Sequence, residues 1–331
     1  VRRLHRGQAN LRVLMMGRKP SVALEELARI WGEARFAKPH HIPTRRYDLV
    51  VAQEPTARVG LPSLVASKLS AAALACEVHG DYLGAGFLPA KDRIVAPLIL
   101  RSADFVRAVN RRIASRLRSM GLEKVVIIPS VYVKLDVFRP TTNPEERSPV
   151  VVAAGRMSRE KGLDLLLQAF SLVLREVPDA ELRLLGDGPE LDRLVKVAQR
   201  LGLSKALRPS RRWLTHAELA EQYNQAAVYA CTSLFEGGPR TVFEAAACLT
   251  PTVSTFVGII PEVFSEDSSV LFVKRRDPRE LADKLLALIT DPARRKTIAS
   301  NAREIVMREF EWGKAVQRYA ETYASLVSEL G

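Results

Sequence analysis

Cysteine is scarce in this 331-residue chain, with only Cys76, Cys231 and Cys248. The three are odd in number, far apart and never in a CxxC pair. That argues against a disulfide framework or a thiolate zinc site and fits a reducing compartment. Aromatic residues make up only 6%. Glycine and proline, at 18 and 19 residues, are too few for a collagen-like or low-complexity chain. No apolar run is long enough to cross a bilayer as a helix. One of the longest, PSLVASKLSAAALACEV (62–78), is broken by Lys68 and serines. The basic opening VRRLHRGQAN is followed by no apolar segment with a cleavage site, so no signal peptide is expected. DxD, GxxxxGK[ST], GxSxG and HExxH are all missing. His5, His40 and His41 stand at no metal-ligand spacing with any other candidate. The expected metal complement is therefore none.

What is present is an ordinary globular balance, 47% hydrophobic and 26% charged, at a length that suggests two domains. The charge is unevenly divided. Residues 1–150 hold 25 Lys and Arg against 13 Asp and Glu, whereas residues 151–331 hold 25 against 24. Nearly all of the net +13 therefore sits in the first half. A one-sided excess points to an anionic partner: nucleic acid, an anionic membrane surface or a phosphorylated substrate. Few aromatics and no recognisable binding motif argue against nucleic acid as that partner.

The stretch PTTNPEERSP (140–149) is polar and holds three prolines. It reads as a boundary, with residues 1–140 before a linker at 141–149 and a second domain from residue 150. That second part alternates strand and helix patterns. Strands are expected at 148–155, 181–188, 226–233, 250–256 and 269–274, with helices at 161–177, 189–203, 241–249 and 278–290. The first part shows strands at 11–17, 46–53, 72–80 and 124–130, with helical segments between them, notably 98–120. Short buried strands alternating with helices imply α/β architecture: two doubly wound, parallel-sheet domains in series. A ligand would sit in the cleft they face, at the carboxyl ends of the strands. The segment RSADFVRAVNRRIASRLRSMG (101–121) reads as a helix with arginines at 101, 107, 111, 112, 116 and 118. Phe105, Val109, Ile113 and Leu117 form its other face. It is either a solvated basic face on a core helix or a contact for anionic lipid heads.

Three segments carry chemistry. In AAGRMSREKG (153–162) a strand ends at Gly155, and Arg156 and Lys161 flank the loop into a helix. Two cations beside the free N–H groups of a helix start suit a diphosphate; a solvated basic loop would look the same. GDGPE (186–190) reads as a turn with Pro189 opening a helix. In SLFEGGPRTVFEAAACLTP (233–251), Glu236 and Glu244 stand eight apart around Gly237, Gly238, Pro239 and Arg240. The glycine pair lets backbone N–H groups approach a ligand closely, and the carboxylates could hold hydroxyls. Thr241-x-x-Glu244 also matches a capping box, which would give Glu244 a merely structural role. His79, in EVHGDY (77–82), ends a strand where it could meet a ligand or could be structural.

Taken in order, GR-x4-KG (155–162), GDGPE (186–190), E-x7-E (236–244), and TPTVST followed by VGIIPEV (250–263) resemble the family 4 retaining glycosyltransferases. FEWGKAVQRYAETY (310–323) is similar to their closing helix, and the likeness covers 148–325. The first half is similar more loosely, through YDLVVAQEPTARVGL (47–61), EVHGDYLGAGF (77–87), ADFVRAVN (103–110) and VIIPSVYVKLDVFRP (126–140). The resemblance implies a GT-B arrangement of two Rossmann-like domains, an acceptor-side one at 1–140 and a nucleotide-sugar one at 150–310. Residues 311–331 would be a helix crossing back to the first domain. It implies metal-independent, retaining transfer from a nucleotide-diphosphate sugar, with no cofactor. By position, Gly155, Arg156 and Lys161 would bind the donor diphosphate and Glu244 the donor ribose. Glu236 would hold the donor sugar with Gly237, Gly238, Pro239 and Arg240, and His79 would meet it from the other domain.

The chain departs from that family at several places. Cys248-Leu249-Thr250-Pro251 stands where CGTP is usual, and Gly258-Ile259-Ile260-Pro261-Glu262 where GGxPE is usual. A bulky residue in place of glycine is expected to alter the loops near the donor sugar. MGRKPSVALEE (16–26) replaces the usual glycine-rich loop, and a short interval before YDLVV implies a shortened acceptor domain. The expected place of action is the cytoplasm, including the inner face of the membrane, and the acceptor a glycan, a lipid-linked group or a small molecule. A non-catalytic nucleotide-sugar-binding protein and a nucleotide-sugar epimerase are the alternative readings.

Overall fold

A computed structural model describes residues 11–17, 23–38, 40, 46–80, 89–274 and 276–330. The chain divides into two compact units, residues 1–130 with 313–331, and residues 131–312.

The first unit holds six parallel strands: β1 (Leu11–Met16), β2 (Gly32–Ala37), β3 (Leu49–Ala52), β4 (Ala73–Val78), β5 (Phe105–Ala108) and β6 (Val125–Ile127). Their order is β2-β1-β3-β4-β5-β6, the reversal at β1 that marks a doubly wound sheet. The connecting helices are α1 (Leu24–Trp31), α2 (Gly60–Ser70), α3 (Ala90–Ser102) and α4 (Arg111–Ser119). Period-two alternation gives each strand two faces. On β4, Cys76 and Val78 join a core with Ala66 of α2, Ile99 of α3 and Ile113 of α4. Glu77, between them, points to the opposite face.

The second unit repeats the plan with β7 (Val150–Ala154), β8 (Glu181–Leu185), β9 (Leu207–Pro209), β10 (Val228–Cys231), β11 (Thr252–Thr255) and β12 (Leu271–Val273), in the order β12-β11-β10-β7-β8-β9. Its helices are α5 (Leu163–Glu176), α6 (Leu191–Arg200), α7 (His216–Gln225), α8 (Arg240–Ala247), α9 (Ile260–Val263), α10 (Pro278–Ile289) and α11 (Pro292–Glu309). The apolar heptad-like spacing of α5 explains why it is a helix. Leu163, Leu166, Leu167, Phe170 and Val173 lie on one stripe, and all are buried.

The last helix, α12 (Trp312–Ser328), belongs to the first unit from Gly313 onward. Val316, Tyr319, Ala320, Tyr323 and Ala324 recur at helical spacing on its buried side. Trp31 of α1 donates its indole N–H to the Ala320 carbonyl at 3.0 Å. Tyr323 meets Phe105 of β5 edge-on, with ring centroids 5.1 Å apart.

Two expectations about this architecture do not hold. The single helix expected over 98–120 is three elements: the end of α3, then β5, then α4. Phe105, Val109, Ile113 and Leu117 do recur at four-residue intervals, but Phe105 belongs to a buried strand. A charged residue, Arg107, in the middle of that strand imitates an amphipathic helix. Residues 141–149, expected to be a linker, lie inside the second unit. Thr141, Thr142, Asn143, Glu146 and Ser148 are exposed, but the segment is tied to the second unit by hydrogen bonds. The Thr141 amide donates to Asn224 at 2.7 Å. The buried Arg147 guanidinium donates to the carbonyls of Cys248 at 2.8 Å, Leu249 at 2.9 Å and Ala226 at 3.1 Å, tying down the ends of α7 and α8.

Candidate active site

The loop after β7 is seated by glycines. Gly155 has φ +128° and Gly186 has φ +137°. A β-carbon on Gly186 would stand 2.1 Å from the Gly155 carbonyl oxygen. The Met157 amide donates to the Asp187 carbonyl at 2.9 Å, and the Glu190 amide to the Met157 carbonyl at 2.9 Å. GDGPE is thus the bed on which loop 155–161 rests. Gly162, with φ +60°, allows the chain to pass Thr232, whose carbonyl a β-carbon would approach to 2.3 Å.

This close approach brings the Lys161 ammonium to Glu236, 2.6 Å from Oε1. The Ser233 hydroxyl donates to the same oxygen at 2.8 Å. Burial works against the charge on Lys161, but the field and hydrogen bond of Glu236 outweigh it and hold the ammonium above its usual range. A pocket at the carboxyl ends of β7 and β10 is lined by Arg156, Lys161, Cys231, Ser233 and Thr241, among others. Arg156 is exposed. Glu236 leads through Gly237, Gly238 and Pro239 directly into α8, which begins at Arg240.

The capping-box alternative for Glu244 fails. Pro239 holds the N-cap position of α8 with no side-chain cap, and Thr241 Oγ1 is engaged by the Tyr229 hydroxyl at 2.7 Å. Glu244 is buried within α8, with the Tyr223 hydroxyl 3.4 Å from its Oε2. Burial pushes its carboxyl up to about 7; the Arg240 charge and the Tyr223 hydrogen bond oppose that only in part. The Arg240 guanidinium lies over the Tyr132 ring, 4.4 Å from its centroid.

The second unit therefore carries Gly155, Arg156, Lys161, Glu236 to Arg240 and Glu244 around the ends of β7 and β10. His79 lies in the first unit, just past β4, with its ring Nε2 3.0 Å from Glu77 Oε2. The rest of its segment, residues 81–88, and residues 18–22 of the loop after β1 lie outside the described residues. Leu249 takes φ +56°, a left-handed conformation that glycine adopts without penalty. Its bulk is thus met by backbone strain, in the turn where glycine is usual. Sequence reasoning missed three groups. Ser233 stands three residues before Glu236, within the quoted motif. Glu77 shares a strand face with His79 at i, i+2 spacing. Tyr223 gave no local signal. Among the described residues, no three His, Cys, Asp or Glu side chains gather closely enough to hold a metal ion.

The family described as Glycosyl transferases group 1 matches residues 136–305, and the Glycosyl transferase 4-like domain matches residues 1–130. D-inositol 3-phosphate glycosyltransferase 1 of Catenulispora acidiphila is 32% identical over 212 residues, 59% of this chain and 50% of that protein. A GDP-mannose-dependent alpha-(1-6)-phosphatidylinositol monomannoside mannosyltransferase of Mycolicibacterium smegmatis is 27% identical over 78% of this chain and 71% of its own length. The chain spans about half the length of the first curated relatives it matches. In fold it is similar to the Anabaena protein Alr3699/HepE, solved in complex with UDP-glucose. The TM-score is 0.80 at 20% identity, over 95% of this chain and all of the other. The two Rossmann-like units are those of GT-B glycosyltransferases.

Proposed function

The chain belongs to the glycosyl transferases group 1 family, and from that premise we propose that it moves a sugar from a nucleoside-diphosphate sugar to an acceptor hydroxyl, with retention at the anomeric carbon. The observation that carries this reading is the Lys161–Glu236 pair in a pocket at the strand ends, beside the glycine loop that opens α8. Lys161 and Arg156 would hold the diphosphate. As the glycosidic bond breaks, negative charge grows on the leaving nucleotide, and cations already in place stabilise that state most. On this reading no metal is needed and no cofactor is bound. The backbone N–H groups of Gly237, Gly238 and Arg240, with the N-terminus of α8, would add partial positive charge. Glu236 would accept hydrogen bonds from donor-sugar hydroxyls and Glu244 from the ribose. Names of the relatives support a polyol or inositol-lipid acceptor, and their donors support a uridine or guanosine nucleotide.

The acceptor class bears on where the protein works. The cytoplasmic face of a membrane is our reading; within 101–121, α4 keeps Arg111, Arg112, Arg116 and Arg118 exposed, and a second surface supports it as well. Leu69 of α2 and Ile94 of α3 are each 72% exposed and Leu98 of α3 is 59% exposed, with Leu61 and Val65 beside them on α2. The two helices pack together, with Gly60 against Ile99. Lys68, Lys91, Arg93 and Arg101 are exposed around the ridge, and the one carboxylate on these helices, Asp92, is buried. An apolar ridge in a cationic rim suits an anionic lipid surface. No helix among the described residues is long and apolar enough to cross a membrane.

The experiment is nucleotide release from UDP-, GDP- and ADP-sugars, by the purified chain and by Lys161→Ala and Glu236→Ala. Release that both variants lose supports the reading. Binding without release on any acceptor supports instead a non-catalytic nucleotide-sugar-binding protein.

A further inference from the structure

A buried polar cluster lies under His79 in the first unit. Strand register places Glu77 of β4 directly beside Arg107 of β5. Glu77 is buried, and its Oε1 accepts from the Arg107 guanidinium at 2.9 Å and from the Tyr319 and Tyr323 hydroxyls at 2.8 Å each. The two tyrosines stand four apart on α12, so both hydroxyls reach one oxygen. Arg107 is held in turn by the carbonyls of Ile128 at 2.9 Å and Pro129 at 2.8 Å, and it lies over the Tyr319 ring. Burial opposes the charge of Glu77. The Arg107 field and the hydrogen bonds of His79 and Tyr323 outweigh it, keeping the carboxyl well below its usual range. An ionised carboxylate only accepts. The second oxygen, Oε2, faces His79 Nε2 at 3.0 Å, so that nitrogen must carry the proton.

We propose that Glu77 is a positioning residue that fixes the tautomer of His79, with Nε2–H on the carboxylate and the lone pair on Nδ1. In its neutral form the ring, 39% exposed, then presents an acceptor. What it recognises is a hydrogen-bond donor, a sugar hydroxyl rather than a phosphate oxygen. Tyr319 and Tyr323 anchor the carboxylate, so the last helix of the chain determines the chemistry at the end of β4. The choice of a sugar as ligand rests on the glycosyltransferase reading above; the tautomer does not.

The test has two arms. Histidine-labelled protein, in long-range proton–nitrogen correlation spectra above the ring's titration range, reports the tautomer directly, with His79→Gln assigning the signal. The expected result is Nε2–H alone in the unaltered chain and a mixture of both tautomers in Glu77→Gln. An Nδ1–H ring, or a mixture, in the unaltered chain overturns the proposal. The second arm is nucleotide-sugar turnover. Glu77→Gln should lower kcat roughly ten-fold, the effect of one misdirected charge-assisted hydrogen bond, and lower it no further in a His79→Ala background. Equal losses in both backgrounds mean a general structural role and overturn the proposal. Should Glu77→Gln fail to fold, Glu77→Gln with Arg107→Met removes both charges and serves in its place. If the unaltered chain turns over no donor, the glycosyltransferase reading falls and the spectra still decide the tautomer.

Discussion

Gly258 lies against Gly237 so closely that a β-carbon there would stand 2.7 Å from the Gly237 carbonyl oxygen and 3.2 Å from the Glu236 β-carbon. Its φ is +57°. The loop between β11 and α9 is therefore the backing of the Glu236 loop, which explains physically why a glycine occurs there. Gly258→Ala should cost about 2 kcal/mol through the left-handed backbone and the contact. It should also weaken nucleotide-sugar binding more than binding of the bare nucleotide. Thermal unfolding and paired titration calorimetry check both.

Leu249 offers the opposite experiment. Its left-handed backbone at the end of α8 is strained for a side chain and easy for glycine. Leu249→Gly should stabilise the fold by about 1 kcal/mol, read as a higher melting temperature. An unchanged or lower melting temperature would show that side-chain packing there outweighs the strain.

Removing the ammonium at Lys161 leaves Glu236 Oε1 with the Ser233 hydroxyl but no cation. Lys161→Ala should weaken nucleoside diphosphate binding by about 2 kcal/mol, near thirty-fold, the usual scale of a charge-assisted hydrogen bond. Titration with UDP and GDP measures it. Nucleoside affinity should hardly change.

Glu244 should make the protein sensitive to pH. Its folded carboxyl titrates near 7 against an ordinary 4.5. Raised values favour the protonated folded state, so this contribution is complete below pH 4.5 and is lost as pH rises through 7. Relative to Glu244→Gln, unfolding free energy should fall by about 3 kcal/mol across that window. Nucleotide binding should follow the other sign. Ribose hydroxyls donate to the carboxylate, so affinity should rise through pH 7 in the native chain and stay level in Glu244→Gln.

If the α2–α3 ridge meets lipid, the chain should sediment with anionic vesicles, be released by salt and ignore neutral vesicles. Leu69→Asp with Ile94→Asp should abolish the binding while leaving nucleotide affinity intact. Equal pelleting with both vesicle types, or no effect of the paired substitution, would remove the idea.

Local pattern was enough for much of this protein. Apolar spacing placed β7, β8, β10, β11 and β12 and the helices α5, α6, α8 and α10, because helical and strand periodicities are carried by neighbouring residues. The motifs at 155–162 and 233–251 also placed Lys161 and Glu236 at strand ends. What tertiary structure alone decided is who pairs with whom. Residues 101–121 read as one basic helix until sheet formation buries β5 and sets Arg107 beside Glu77, thirty positions away in the chain. Glu244 reads equally as a ligand group or a cap until the fold gives Thr241 to Tyr229 and leaves the carboxyl in the core. Residues 141–149 look like a solvated tether until the ends of α7 and α8 offer Arg147 their carbonyls. Secondary structure follows from contacts one turn or one pleat away. A buried polar group needs a partner wherever the chain path brings one, and only the folded path specifies it.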